Sequence, residues 1–193
     1  MIKVFSLKLF YKILMFLCFL LLILAGIFFL SNLYLKKVVY PLHYKQQVFK
    51  YANVYDLDRA LVFAIIKNES DFDKNAVSNA GAVGLMQITN FTANYIAKQL
   101  GEQDFDLINP ETNIRFGCFY MRYLLNKFEY LETALVAYNA GEGNVSKWLK
   151  DANFSDNGKT LKTVPFKESR EYIIKIKENV KKYNKLYNKI LDK

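Results

Sequence analysis

The sequence is poor in the residues that build disulfide frameworks and metal centres. Its 193 residues include two cysteines, one histidine and three prolines. Cys18 lies in a long apolar run and Cys118 in a helical pattern, which argues against a disulfide between them and favours a core position for Cys118. His43 has no cysteine, histidine or acidic cluster around it, so a structural or solvated role is favoured over a metal ligand. We therefore predict no metal site and no cofactor.

Acidic residues are also missing from one end of the chain. Residues 1–50 contain seven lysines and no aspartate or glutamate, residues 51–161 have a net charge of −4, and residues 162–193 have +6, which gives +9 overall. Basic flanks beside an apolar run favour anionic lipid or polymer over nucleic acid, because no basic and aromatic recognition motif accompanies them. No nucleic-acid partner is predicted.

The apolar run, Ile13 to Leu35, contains no charged residue over 23 positions. A helix of this length measures about 35 Å and crosses a hydrocarbon core of about 30 Å. The run is too long for the apolar region of a cleaved signal peptide, about 7 to 15 residues, so an uncleaved signal anchor is predicted. Cleavage after the small residues of "LAG" stays an alternative, and a lipoprotein signal at Cys18 is a weaker one. Four segments are predicted: a basic terminus (1–12), a transmembrane anchor (13–35), a juxtamembrane connector (36–43) and a domain with a basic C-terminal helix (44–193). Lysines on both sides of the anchor leave its orientation undecided at this point.

The domain is predicted to be all helical, with no strand. Asp58 caps one predicted helix, Asn109 with Pro110 begins another, and Gly101 and Gly141 end two more, the first of which starts near Leu85. The last helix carries an apolar stripe that is expected to pack on the domain, with a dimer seam as the less favoured outcome. Its members are Ile173, Ile176, Val180, Tyr183, Tyr187 and Ile190.

The helix that Asp58 begins carries an acid on its apolar stripe. Val62, Ile65, Ile66 and position 69 share one helix face, yet position 69 is glutamate. A desolvated carboxyl would have a raised pKa and serve as a general acid. From the pattern alone, a solvated carboxylate at a frayed helix end is the simpler interpretation.

Four motifs in the domain occur in a fixed order. They are "ALVFAIIKNESDFDKNAVSNAGAVGLMQIT", "NPETNIRFGCFYMRYLLNKF", "ALVAYNAGEGNVSKW" and "TVPFKESREYIIKI". Together they resemble the catalytic domain of the soluble lytic transglycosylase family, over about residues 44–187. The resemblance implies an all-α, lysozyme-like domain of the goose type, preceded here by one transmembrane helix.

The resemblance also implies an activity and a location. Such enzymes cleave the β-1,4 bond between N-acetylmuramic acid (MurNAc) and N-acetylglucosamine (GlcNAc) in peptidoglycan without water and leave 1,6-anhydroMurNAc ends. Glu69 matches the family's single catalytic acid, which acts first as acid and then as base. Peptidoglycan glycan strands are the expected partner, and the cytoplasmic (inner) membrane is the expected location, with a single span and an extracytoplasmic catalytic domain.

By position, the resemblance assigns substrate-binding roles around Glu69. Gln87 and Tyr138 are expected to contact the saccharide, Ser78 and Asn139 are balanced between substrate contact and local structure, and Met86 is expected in the cleft lining or, preferably, in the core. Two alternatives stay open. One is a hydrolytic muramidase with Asp71 or Asp73 as a second carboxylate; the other is a non-catalytic peptidoglycan-binding protein.

Overall fold

A computed structural model describes residues 7–191 of the chain. Residues 1–6 of the predicted cytoplasmic terminus and the last two residues of the predicted domain lie outside the described residues. The chain divides into two units, Met1–Leu42 and His43–Lys193.

The first unit is one apolar helix. Helix α1 (Leu7–Tyr34) continues as a π-helical segment (Leu35–Val39). The stretch Leu9–Val39 is long and apolar enough to cross a membrane, and none of it is buried within the protein. Because its large aliphatic and aromatic side chains are exposed, this helix needs an apolar environment that the rest of its unit does not supply.

The second unit is helical, which confirms the all-α prediction. Its elements are, in chain order, α2 (Lys45–Val54), α3 (Arg59–Ser70), β1 (Ala82–Val83), β2 (Ile88–Thr89), α4 (Asn90–Leu100), α5 (Pro110–Phe128), α6 (Leu131–Ala140), α7 (Glu142–Trp148) and α8 (Lys167–Leu191).

The predicted helix ends are confirmed. The Asp58 carboxylate accepts from Ala60 N–H at 2.6 Å, and the Asn109 side chain accepts from Glu111 N–H at 2.9 Å. Gly101 and Gly141 follow α4 and α6 with φ of +71° and +87°. Such positive φ values favour glycine, so these two glycines stop their helices without strain.

One helix start and the absence of strands were predicted wrongly. Helix α4 begins at Asn90, and the preceding segment pairs Val83 with Ile88 and Ala82 with Thr89 in a two-stranded antiparallel ladder. Two-residue strands are too short to show an alternating pattern, which explains why the sequence did not predict them.

The core is centred on α3, against which α8 packs along its length. The Tyr183 ring of α8 stacks on the Phe63 ring of α3 with centroids 5.4 Å apart. Cys118 of α5 is fully buried, as predicted. The apolar stripe of α8 therefore packs on its own domain, as expected.

The buried face of α8 is rotated relative to the predicted stripe. Tyr172 and Leu191 are buried, whereas Ile173 and Val180 are only half-buried and Ile190 is 38% exposed. The face of α8 that is buried in the domain therefore contains Tyr172 rather than Ile173.

Candidate active site

The acid on the apolar stripe is half-buried near the end of an ordered helix. Val62, Ile65 and Ile66 are fully buried, and Glu69, the penultimate residue of α3, is half-buried. Asp58 holds the other end of this helix through its side-chain cap. The interpretation of Glu69 as a solvated carboxylate at a frayed end is therefore wrong.

Burial changes the acidity of this carboxyl. Desolvation is the main influence and raises the pKa of Glu69 to about 7 from an ordinary 4.5. The Tyr172 hydroxyl lowers that pKa, and the negative charge of Glu168 raises it further. The carboxyl is reachable from solvent, yet the surrounding protein keeps a substantial fraction protonated near neutral pH.

Glu69 lines a cavity of about 490 Å³, the size of a small-molecule site. The cavity brings together residues that are far apart in sequence: the end of α3, the loop that follows it, the end of α6 and the start of α8. Its lining includes Glu69, Ser78, Gln87, Tyr138, Asn139 and Glu168. Four of the five predicted substrate-binding residues thus share one cavity with the predicted acid.

The loop segment Gly84–Gln87 is fixed beside Glu69 from several directions. The Ser70 hydroxyl donates to Leu85 C=O at 2.9 Å, and the Tyr138 hydroxyl donates to Met86 C=O at 2.8 Å. The buried Asn113 side chain accepts from Met86 N–H at 2.7 Å. These bonds anchor the Met86 peptide units from both sides, so the following residue enters the cavity in a defined position.

That following residue, Gln87, has a left-handed backbone with φ of +49°. Its amide nitrogen donates to Gly84 C=O at 2.9 Å and to Ala76 C=O at 3.1 Å. Both amide hydrogens are thus engaged within the loop, and the amide oxygen is left to accept from a ligand.

Met86 itself belongs to the core, so its expected place in the cleft lining is corrected. Its side chain is fully buried. A Cβ at Gly117 of α5 would lie 2.3 Å from Met86 Sδ. The absence of a side chain at Gly117 therefore makes room for Met86. The core position preferred for Met86 in the sequence analysis is the one observed.

Ser78 and Asn139 combine a structural bond with a free hydrogen-bonding group. Ser78 Oγ accepts from Ala82 N–H at 3.0 Å, which leaves its hydroxyl hydrogen to donate. Asn139 Oδ1 accepts from the buried Ser169 hydroxyl at 2.6 Å, which leaves its NH2 group to donate. The two side chains therefore present donors to the cavity.

Three residues that contribute to this site were not identified from the sequence. Tyr172 and Glu168 influence Glu69, and Asn113 holds the Met86 segment. The signal for the first two was the "PFKESREY" motif, which contains both residues and matches the family pattern. The motif begins 96 residues after Glu69 in the sequence. Asn113 carried a weaker signal, a polar residue on the buried face of α5.

The aspartates near Glu69 do not line its cavity. Asp71 is exposed and pairs with Lys67 at 2.8 Å, and exposed Asp73 accepts from Asn75 N–H. Among the residues that the structure describes, the other carboxylate in the cavity is Glu168. His43 is exposed and its ring contacts Phe72, and no cluster of three metal-ligating side chains occurs between residues 7 and 191.

The transglycosylase SLT domain family model matches residues 46–161. Over 154 residues, the chain is 34% identical to the soluble lytic murein transglycosylase of Salmonella typhimurium. The aligned region covers 77% of this chain and 23% of that protein. The chain is 32% identical to the membrane-bound lytic murein transglycosylase C of Sodalis glossinidius, over 74% of this chain and 47% of the relative.

A solved structure of similar fold is an inactive mutant of the lytic transglycosylase Slt from Pseudomonas aeruginosa. It superposes with a TM-score of 0.66 at 31% identity and covers 76% of this chain and 24% of the other. The chain thus spans about a quarter of the length of the soluble relative and about half of the membrane-bound one.

Proposed function

The chain belongs to the transglycosylase SLT domain family, and on that premise we propose that it is a peptidoglycan lytic transglycosylase. It cleaves the MurNAc-GlcNAc β-1,4 bond without water and leaves a 1,6-anhydroMurNAc end. The observation that carries the proposal is the half-buried Glu69 carboxyl, whose pKa is raised to about 7 in a cavity of about 490 Å³.

One carboxyl serves both steps. Protonated Glu69 donates its proton to the glycosidic oxygen, the C1–O bond breaks, and GlcNAc leaves with that proton. The Glu69 carboxylate then takes the proton of the MurNAc C6 hydroxyl while O6 bonds to C1, which closes the anhydro ring and restores the acid. A pKa near the working pH suits a group that must both give and take a proton.

The other lining residues position the saccharide. Ser78 and Asn139 donate to acetamido or hydroxyl oxygens, and the Gln87 amide oxygen accepts from a sugar hydroxyl. Tyr138 acts through the Met86 carbonyl that it binds and keeps Gln87 in place. These roles use the hydrogen-bonding groups that the fold leaves free.

A hydrolytic muramidase is the second candidate, and Glu168 in the same cavity is the observation that favours it. Hydrolysis requires a second carboxylate that activates water or attacks C1. Glu168 is exposed and therefore open to water. Asp71 and Asp73 no longer serve this alternative, because neither lines the cavity.

We also propose that the chain is a single-pass protein of the inner membrane, with the domain on the extracytoplasmic side where peptidoglycan lies. The apolar helix Leu9–Val39 supports the anchor. Residues 1–12 are cytoplasmic, 13–35 span, 36–43 connect and 44–193 form the catalytic domain. Protease added to intact spheroplasts is expected to digest the domain and to spare the anchor.

The activity is tested by incubating the full chain, in lipid nanodiscs, with purified peptidoglycan and weighing the released muropeptides. Anhydro ends, lighter by one water than reducing ends, are expected. Reducing ends would establish the hydrolase, and no release would leave a binding protein. Glu69→Gln is expected to abolish release, whereas the matched variant Asp71→Asn, which alters an exposed carboxylate two residues away, retains it.

A further inference from the structure

An exposed aromatic ring stands in a second cavity of about 450 Å³. Phe91 is 86% exposed, more than any other large apolar side chain from Leu9 to Leu191. An apolar ring in water contributes nothing to folding, because its transfer from water to an apolar contact is the favourable step. Fold stability therefore gives no reason for phenylalanine at this position.

The ring belongs to an aromatic shelf that we define as Phe91, Tyr95 and Tyr120, all of which line this cavity. Thr89 caps α4 by accepting from Thr92 N–H at 3.2 Å, which fixes the helix start. Phe91 and Tyr95 are four residues apart and share one helix face.

The shelf is rigid at its base. The Tyr95 ring packs on Tyr123 with centroids 5.4 Å apart, and Tyr120 packs on Tyr138 at 5.6 Å. Phe91 makes no ring contact of this kind among the described residues, so its face is available to a ligand on a preformed surface.

The second cavity continues the one that contains Glu69. Gln87, Thr89, Tyr138 and Asn139 line both. A glycan strand whose scissile bond lies at Glu69 and which runs past Tyr138 therefore reaches the shelf.

The charge of the second cavity selects the ligand. Its lining contains a single carboxylate, Glu142, which pairs with Lys127 at 2.7 Å. No unpaired charge is thus presented by the described lining, and the polar side chains of Thr89, Thr92 and Asn139 line the same cavity as the rings. This arrangement suits a neutral sugar, which packs the C–H face of its chair on an aromatic ring and directs hydroxyl and acetamido groups to polar neighbours.

We propose that the aromatic shelf binds a neutral GlcNAc residue of the glycan strand, beyond the two sugars at the scissile bond, and that Phe91 is its platform. MurNAc carries an acidic lactyl group or its peptide and fits this neutral surface less well. The inference rests on the proposed function, since it names the sugar that the same cleft holds at a distance from Glu69. A subsite at this place makes the enzyme bind glycan strands of three or more sugars more tightly than a disaccharide.

The test separates binding from cleavage. Chitotetraose, a neutral GlcNAc oligomer, is titrated into the full-length Glu69→Gln chain in lipid nanodiscs and followed by NMR. Phe91→Ala in this background is expected to weaken binding about tenfold, the effect of losing one good ring contact. Phe91→Tyr keeps the ring and is expected to bind within about twofold of its parent. Val54→Ala, which shortens another exposed apolar side chain outside both cavities, is expected to leave binding unchanged.

The proposed subsite is contradicted if chitotetraose fails to bind the parent, or if the Phe91→Ala variant and its parent bind it with equal affinity. A loss of the same size in Val54→Ala would also overturn it, because the effect would then not be local. If instead wild-type protein releases no anhydro product while chitotetraose binding depends on Phe91, the proposed reaction fails and the subsite stands.

Discussion

The Tyr172 hydroxyl lies beside the Glu69 carboxyl where α8 packs on α3. Tyr172 is 4% exposed, and its hydroxyl has no hydrogen-bond partner of ordinary geometry among the described residues. It nevertheless lowers the pKa of Glu69, against desolvation and the charge of Glu168, which raise it. The acidity of Glu69 is thus a balance of opposing influences, and each can be removed by one substitution.

Tyr172→Phe removes the influence that favours the carboxylate. We expect the Glu69 pKa to rise above about 7, so that the alkaline limb of the kcat/KM profile moves to higher pH. Stability should not fall, since the hydroxyl that is lost has no partner of ordinary geometry to leave unpaired. A pH profile of anhydro-muropeptide release measures the shift. Tyr55→Phe, whose ring packs on Phe119 outside the Glu69 cavity, should leave the limb in place; an unmoved or lowered limb in Tyr172→Phe would contradict the prediction.

Glu168→Gln removes a like charge and should move the same limb in the opposite direction. The pKa of Glu69 is expected to fall because the anion that opposes its ionisation is gone. Released ends should stay anhydro, since the proposed reaction uses one carboxyl. The control is Glu171→Gln, an exposed carboxylate on α8 that pairs with Lys167 outside the cavity. If the wild-type protein instead releases reducing ends and Glu168→Gln releases none, the enzyme is a hydrolase that uses Glu168.

The raised pKa of Glu69 also predicts how stability depends on pH. Its unfolded value is near 4.5 and its folded value is about 7, so between these pH values the folded state binds more protons than the unfolded state. Stability from this group is then present below pH 4.5 and is lost as pH rises to 7. Glu69→Gln should therefore stabilise the protein little at pH 4.5 and by up to about 3 kcal/mol at pH 8.

Urea unfolding of both proteins at pH 4.5 and pH 8 measures this difference. Asp71→Asn serves as the control, because its carboxylate is exposed and should change stability by a similar small amount at both pH values. A Glu69→Gln effect that is equal at the two pH values would show that the carboxyl is not desolvated.

Local chemistry made the helix ends predictable from the sequence. Asp58 and Asn109 bind the first free amides of their helices, and Gly101 and Gly141 adopt the backbone that ends a helix. Each of these signals acts within a few residues of the chain. The acid on an apolar stripe was visible for the same reason, although the pattern alone favoured a solvated end.

The environment of Glu69 was not predictable in this way, because it depends on packing between distant segments. Tyr172 of α8 is buried against the rest of the domain, whereas the predicted stripe had placed Ile173 there. Glu168 then reaches the cavity as part of the same helix start. Sequence periodicity gives the existence of a buried face, whereas its rotation is set by the partner helix.

Two asparagines, the N-cap of α5 and a buried residue within it, show how differently one residue type contributes to stability. Asn109 caps the helix at the surface, and Asn113, fully buried, accepts from Met86 N–H and donates to Val83 C=O at 2.9 Å and to Leu107 C=O at 2.8 Å. Asn109→Ala should cost about 1 kcal/mol, the usual effect of losing a cap. Asn113→Ala should cost about 3 kcal/mol or more, because it removes the side-chain partner of three backbone groups, two of them in buried hydrogen bonds.

The same comparison separates stability from positioning. Below the unfolding temperature of both variants, Asn109→Ala should cleave peptidoglycan at the wild-type rate, since the cap is not part of the cavity. Asn113→Ala should lower kcat, because it releases the N–H of Met86, the residue whose carbonyl Tyr138 binds and which precedes Gln87. Urea unfolding and release kinetics on the two proteins provide the measurement. Equal kcat values in folded samples would show that Asn113 stabilises the core without fixing the geometry of the cleft.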